Sequence, residues 1–87
     1  MSVTVEFYAI PRQRAGVPSI DAAAGPLHQV LNDVGQRLPG FARECLDGDR
    51  LKHGYIANIN GQQFIRDDGA ELRDGDSLLI LSADLGG

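Results

Sequence analysis

The chain has no tryptophan, a single cysteine (Cys45) and only five aromatic residues among 87: Phe7, Tyr8, Phe41, Tyr55 and Phe64. A lone cysteine excludes a disulfide framework and any Cys-x-x-Cys metal or redox site. The aromatics are not interleaved with basic residues, as a stacking platform for single-stranded nucleic acid requires. Basic residues are themselves scarce. Eight Lys and Arg face twelve Asp and Glu, a net charge of −4 that argues against a phosphate-tracking surface. Taken alone, that acidity suits a partner with a basic docking surface. The longest apolar run, Leu78 to Leu81, is far too short for a bilayer, and "MSVTVEFYAI" has no basic region ahead of an apolar one. These absences predict one cytoplasmic domain that engages neither nucleic acid nor membrane.

The signatures of a self-contained active site are missing too. "DGD" at 47–49, "DDG" at 67–69 and "DGD" at 74–76 lack the alternating ligands and closing Glu of a calcium loop, so they read as turn chemistry. His28 and His53 have no second ligand three or four residues away, and no metal site is expected. Neither Gly-x-Gly-x-x-Gly nor the Walker pattern occurs. Cys45 has no base placed near it and reads as a small buried hydrophobe. The chain is expected to bind no cofactor and not to catalyse alone.

What is present is a clear order of elements. Val3, Val5, Phe7 and Ala9 alternate on one face of a first strand, and "IPRQRAGVP" then reads as a loop. Val17 to Ala22 suits an antiparallel return strand. Pro26 opens a helix whose Leu27, Val30, Leu31, Val34 and Leu38 form one stripe, ended by Pro39-Gly40. "FARECL" suits a short helical turn with Phe41 and Leu46 inward. "YIANINGQQFI" is a hairpin built on Asn60-Gly61, the dipeptide favoured in a type I′ turn. "LRDGD" turns into a last strand from Ser77 to Ala83. The order predicts an α+β domain, a mixed sheet of four to five strands packed on one main helix. If the first and last strands pair in parallel, this is the β-grasp architecture of ubiquitin, with the domain spanning 1–81 and a flexible tail spanning 82–87.

These residues resemble a family. "VEFYAIPRQRAG", the helix "LHQVLNDVGQRLPGF", the hairpin "ANINGQQ" and above all "LRDGDSLLILSADLGG" are similar to the ubiquitin-like sulfur carriers. Among them the chain looks closest to the small subunit of molybdopterin synthase and similar to the carrier of thiamine biosynthesis. The resemblance implies that a ubiquitin-activating-enzyme-like adenylase uses ATP to convert the Gly87 carboxylate into an acyl adenylate. A sulfur donor then displaces AMP, leaving a thiocarboxylate that a synthase accepts. Within this scheme Gly86 and Gly87 have a physical reason. Only residues without Cβ let the backbone thread a narrow channel, and an unsubstituted acyl carbon hinders attack least. The implied acceptor is the molybdopterin precursor, delivered through the synthase large subunit. Thiamine, tRNA thiolation, cysteine and secondary-metabolite pathways use such carriers as well. A protein modifier, joining the same tail to lysines, and a non-catalytic β-grasp interaction module are the alternatives.

Strand parity supplies a second set of residues. If Phe7, Leu78 and Ile80 face the helix, Tyr8, Leu79 and Leu81 face away and form an apolar docking patch. The resemblance agrees, since the family docks partners through this part of the sheet.

Overall fold

The computed structural model describes residues 1–65 and 69–86. In chain order the elements are β1 (Ser2–Phe7), α1 (Ile10–Ala15), β2 (Ser19–Ala23), β3 (Gly25–Pro26), α2 (Leu27–Arg37), α3 (Pro39–Cys45), β4 (Leu46–Asp47), β5 (Arg50–Leu51), β6 (Tyr55–Ile59), β7 (Gln63–Ile65), β8 (Glu71–Leu72), β9 (Ser77–Ser82) and α4 (Ala83–Gly86). Five strands form one sheet in the order β2-β1-β9-β6-β7. The first and last strands, β1 and β9, run parallel at its centre, while β2 on β1, β6 on β9 and β7 on β6 are antiparallel. The α2 helix crosses between the halves and lies on one face. This is the β-grasp architecture. No helix among the described residues is long and apolar enough to cross a membrane.

The alternation read from the sequence places the core. Val3, Val5, Phe7, Leu78 and Ile80 face α2, whose Leu27, Val30, Leu31 and Val34 are buried against them. Phe41 of α3 is fully buried and its ring stands 4.9 Å from that of Phe7, in a tilted arrangement favourable for aromatic pairs. Leu46 is buried beside it, and Cys45 is sealed in the same core as a small hydrophobe.

Two expectations need correction. The segment after β1 is not a loop. Ile10–Ala15 is a helix, because Pro11 sits in the first turn, where a missing N–H costs no hydrogen bond. Gly16 closes it in the left-handed conformation, φ 78°, donating its N–H to the Arg12 carbonyl. The last strand ends at Ser82, which pairs with Tyr55, one residue short of the expected Ala83, and Ala83–Gly86 form a helical turn.

Candidate functional site

β9 carries the chain out of the middle of the sheet, held by β1 as far as Ile80 and by β6 to Ser82. The Tyr8 N–H donates to the Ile80 carbonyl at 3.1 Å and the Ala83 N–H to the Gly54 carbonyl at 2.8 Å. Beyond the strand, the Ser82 hydroxyl bonds the Asp84 carboxylate, which holds that carboxyl below its ordinary range. Gly86 is the last residue of α4, and Gly87 lies outside the described residues.

The sheet face turned away from α2 is assembled by register. Glu6, Leu79, Asn58 and Phe64 stand opposite one another in a row across β1, β9, β6 and β7. One step towards the chain end, Leu81 faces Ile56, and Tyr8 follows the end of β1 beside them. Tyr8 is 56% exposed and Leu79 half-buried. Leu81 is on the expected face yet only 7% exposed, so it supports the patch rather than presenting it. Its position explains this, since it lies on the central strand opposite Ile56, one residue before Ser82 and the turn into α4.

Phe64 stands on the same outer face, where strand parity alone does not put it. It is 50% exposed. A strict two-residue turn at Asn60-Gly61 would pair Ala57 with Phe64 and send the ring into the core. The turn itself is as expected, with φ 56° and 71° and the Gln62 N–H on the Ile59 carbonyl. However, Ile59 pairs with Gln63, one residue later, and this single-residue offset carries Phe64 to the outer face opposite Asn58. Asn58 itself is 94% buried there, and its Oδ1 has no hydrogen-bond partner among the described residues.

Tyr8 also borders an open cavity of about 580 Å³ lined by Arg12, Gln13, Val17 and Pro18. Ala9, between Tyr8 and α1, takes φ 59° and ψ −124°, a conformation that favours glycine. Its carbonyl accepts the first turn of α1 through the Gln13 N–H, and this sharp corner is what turns α1 back beside the strand ends.

Comparison with solved structures agrees with this layout. A chain in the crystal structure of the Amycolatopsis orientalis BexX/CysO complex is 27% identical, with TM-score 0.77, covering 92% of this chain and 93% of that one. The small archaeal modifier protein 1 of Methanosarcina acetivorans is also 27% identical, with TM-score 0.75 over 93% of this chain and 91% of that one. The same-named protein of Haloferax volcanii shares the fold at TM-score 0.79 and 17% identity, covering 94% of each chain. No protein-family model and no curated protein sequence matches the chain. In its sheet built around parallel first and last strands and in these likenesses, the chain shares the β-grasp fold of ubiquitin-like proteins.

Proposed function

We propose that this protein is a sulfur carrier whose Gly87 carboxylate is activated by a partner adenylase and converted to a thiocarboxylate. The observation that carries the reading is the placement of β9. The strand leading to the Gly-Gly end is paired with β1 as far as Ile80 and with β6 up to Ser82, so the sheet presents a short segment with no side-chain bulk at its tip. The carboxylate displaces pyrophosphate from ATP on the partner, and a sulfur nucleophile then displaces AMP from the acyl carbon. ATP is the partner's substrate; the carrier supplies the acyl group and the surface that docks it. Tyr8, Leu79 and Phe64 form that surface. The solved BexX/CysO complex supports the idea that a domain of this shape works bound to another protein.

For the acceptor we propose the molybdopterin precursor, on the sequence resemblance alone; the other sulfur-requiring pathways are the competing destinations. A modifier role is a second reading, favoured by the 27% identity to a protein named as a modifier. Incubation with an adenylase, ATP and a sulfide source is expected to exchange one oxygen of Gly87 for sulfur, read by intact mass. Removing Gly87, or adding a residue after it, abolishes the exchange. Lysine-linked adducts in place of the thiocarboxylate support the modifier, and sulfur transfer by the truncated chain refutes both readings.

A further inference from the structure

The net charge of −4 conceals an uneven distribution. The strand ends from which the chain terminus departs are flanked by α1 and α3, which pack on each other. Arg12 and Arg14 project from α1, Arg43 from α3, and Lys52 reaches back from the loop before β6 to donate to the Arg43 carbonyl at 2.6 Å. A chain of contacts ties this cluster to the end of β9. Arg14 Nε lies 3.7 Å from Glu44, the other Glu44 oxygen accepts the Tyr55 hydroxyl at 2.9 Å, and Tyr55 pairs with Ser82. At the other end of β9, Asp74 and Asp76 cap the strand start, with Asp74 accepting the Ser2 N–H.

Between α1 and α3 lies a cavity of about 260 Å³ whose walls carry Gln13, Arg14, Arg43 and Glu44. Gly40 forms part of its lining, where the helices touch so closely that a Cβ would stand 2.7 Å from the Arg14 carbonyl. Glu44, the carboxylate among these residues, is engaged on both oxygens. Arg12 and Arg43 have no carboxylate within ion-pair distance among the described residues, whereas Arg37 on α2 holds Asp33 at 2.9 Å. The cavity is thus a cationic groove in which Arg43 keeps unused guanidinium capacity, and Gln13 also lines the neighbouring cavity beside Tyr8, where Arg12 stands.

We infer that the α1–α3 groove receives carboxylate side chains of the partner protein that takes up the C-terminus. Guanidinium groups offer paired donors that match carboxylate geometry, and their placement at the terminal pole steers an acidic partner rim towards the tail. The partner surface is acidic, contrary to what the net charge alone indicates. The inference rests on the carrier reading in one respect: the partner is the protein that engages the chain end.

The full chain, labelled with ¹⁵N, is titrated with blocked hexaglutamate at low salt and followed by NMR. Shifts are expected to cluster at Gln13, Arg14, Gly40 and Arg43, and to vanish at high salt. Arg14→Glu/Arg43→Glu, and the milder Arg14→Gln/Arg43→Gln, should weaken binding by at least about tenfold, while Asp74→Lys at the far pole leaves it unchanged. Shifts spread over both poles, no saturable binding, or stronger seating of an oligothymidylate of equal charge would overturn the inference. With an adenylase the same double variants should raise KM at low salt with kcat unchanged. An adenylase reaction indifferent to both variants overturns the assignment of the groove to that partner. If the peptide seats in the groove but no adenylase modifies Gly87, the carrier reading fails while the carboxylate site stands.

Discussion

Tyr8 and Leu81 share one face of the sheet, and an aspartate at either position puts a charge on that face. Their exposures, 56% and 7%, separate the consequences. Tyr8→Asp leaves its carboxylate in water, so folding stability should change by no more than about 0.5 kcal/mol while partner binding weakens. Leu81→Asp forces a carboxylate among apolar neighbours on the central strand, and a loss of about 3 kcal/mol or more is expected. Urea denaturation of both variants checks the contrast; equal losses would mean that Leu81 is as accessible as Tyr8. Asn58 poses the reverse case, because its buried Oδ1 forfeits a hydrogen bond that a hydrocarbon side chain would not need.

The β6–β7 hairpin shows how much one element depends on its neighbours. Asn60 adopts φ 56°, its Nδ2 donates to Asp76 at 3.0 Å, and its Oδ1 accepts the Ser77 N–H at 2.8 Å. The side chain therefore pins the hairpin to the start of β9. Asn60→Ala keeps the unfavourable φ and removes both bonds, so a loss of about 2 kcal/mol is expected from thermal unfolding. Asn60→Gly relieves the φ and should lose less. The turn was legible from Asn-Gly, and β1, α2 and β9 were legible from their periods of 2 and 3.6. What local pattern did not contain was the one-residue offset after the turn, and hence the side on which Phe64 lies. The α1 helix was illegible for a different reason. Pro11, Gly16 and Pro18 are ordinary loop residues, and only their positions relative to a helix end reveal Pro11 as a first-turn residue and Gly16 as a cap. On the outer face, the placement of Tyr8 and Leu79 followed from alternation. The burial of Leu81 did not, since parity gives the face and not what lies over it.

At the scale of the whole molecule, stability should be bounded on both sides of neutral pH. Burial pushes the Cys45 thiol up to about 11 from 9.0, with the Glu44 charge adding to it. Burial also raises Tyr55, to about 12 from 10.0, followed by its hydrogen bond to Glu44. Both folded values exceed the unfolded ones. Their contribution is therefore whole below about pH 9 and is lost as the pH climbs through about 11 and 12. Asp76 behaves oppositely: the Arg73 N–H and then the Asn60 amide hold its carboxyl below 3.8. Its contribution is present above that value and drains away as the pH falls. Urea midpoints across pH should show a plateau with both shoulders. Tyr55→Phe and Cys45→Ala should each flatten the alkaline one, and an unchanged shoulder in both would refute the assignment.

The central position of β9 also has a consequence for how the chain comes into being. Of the five strands in the sheet it is the last to leave the ribosome, and it alone joins β1–β2 to β6–β7. Until it arrives the nascent chain holds two separate hairpins, each with an open strand edge, and α2 has only half its packing surface. Completion of the sheet therefore waits on residues 77–82, and a chain broken off before Ser77 is a substrate for aggregation or proteolysis rather than a shortened domain. The residues that complete the sheet immediately precede those that would accept sulfur, so any chain long enough to present the tail has already synthesised the strand that holds it.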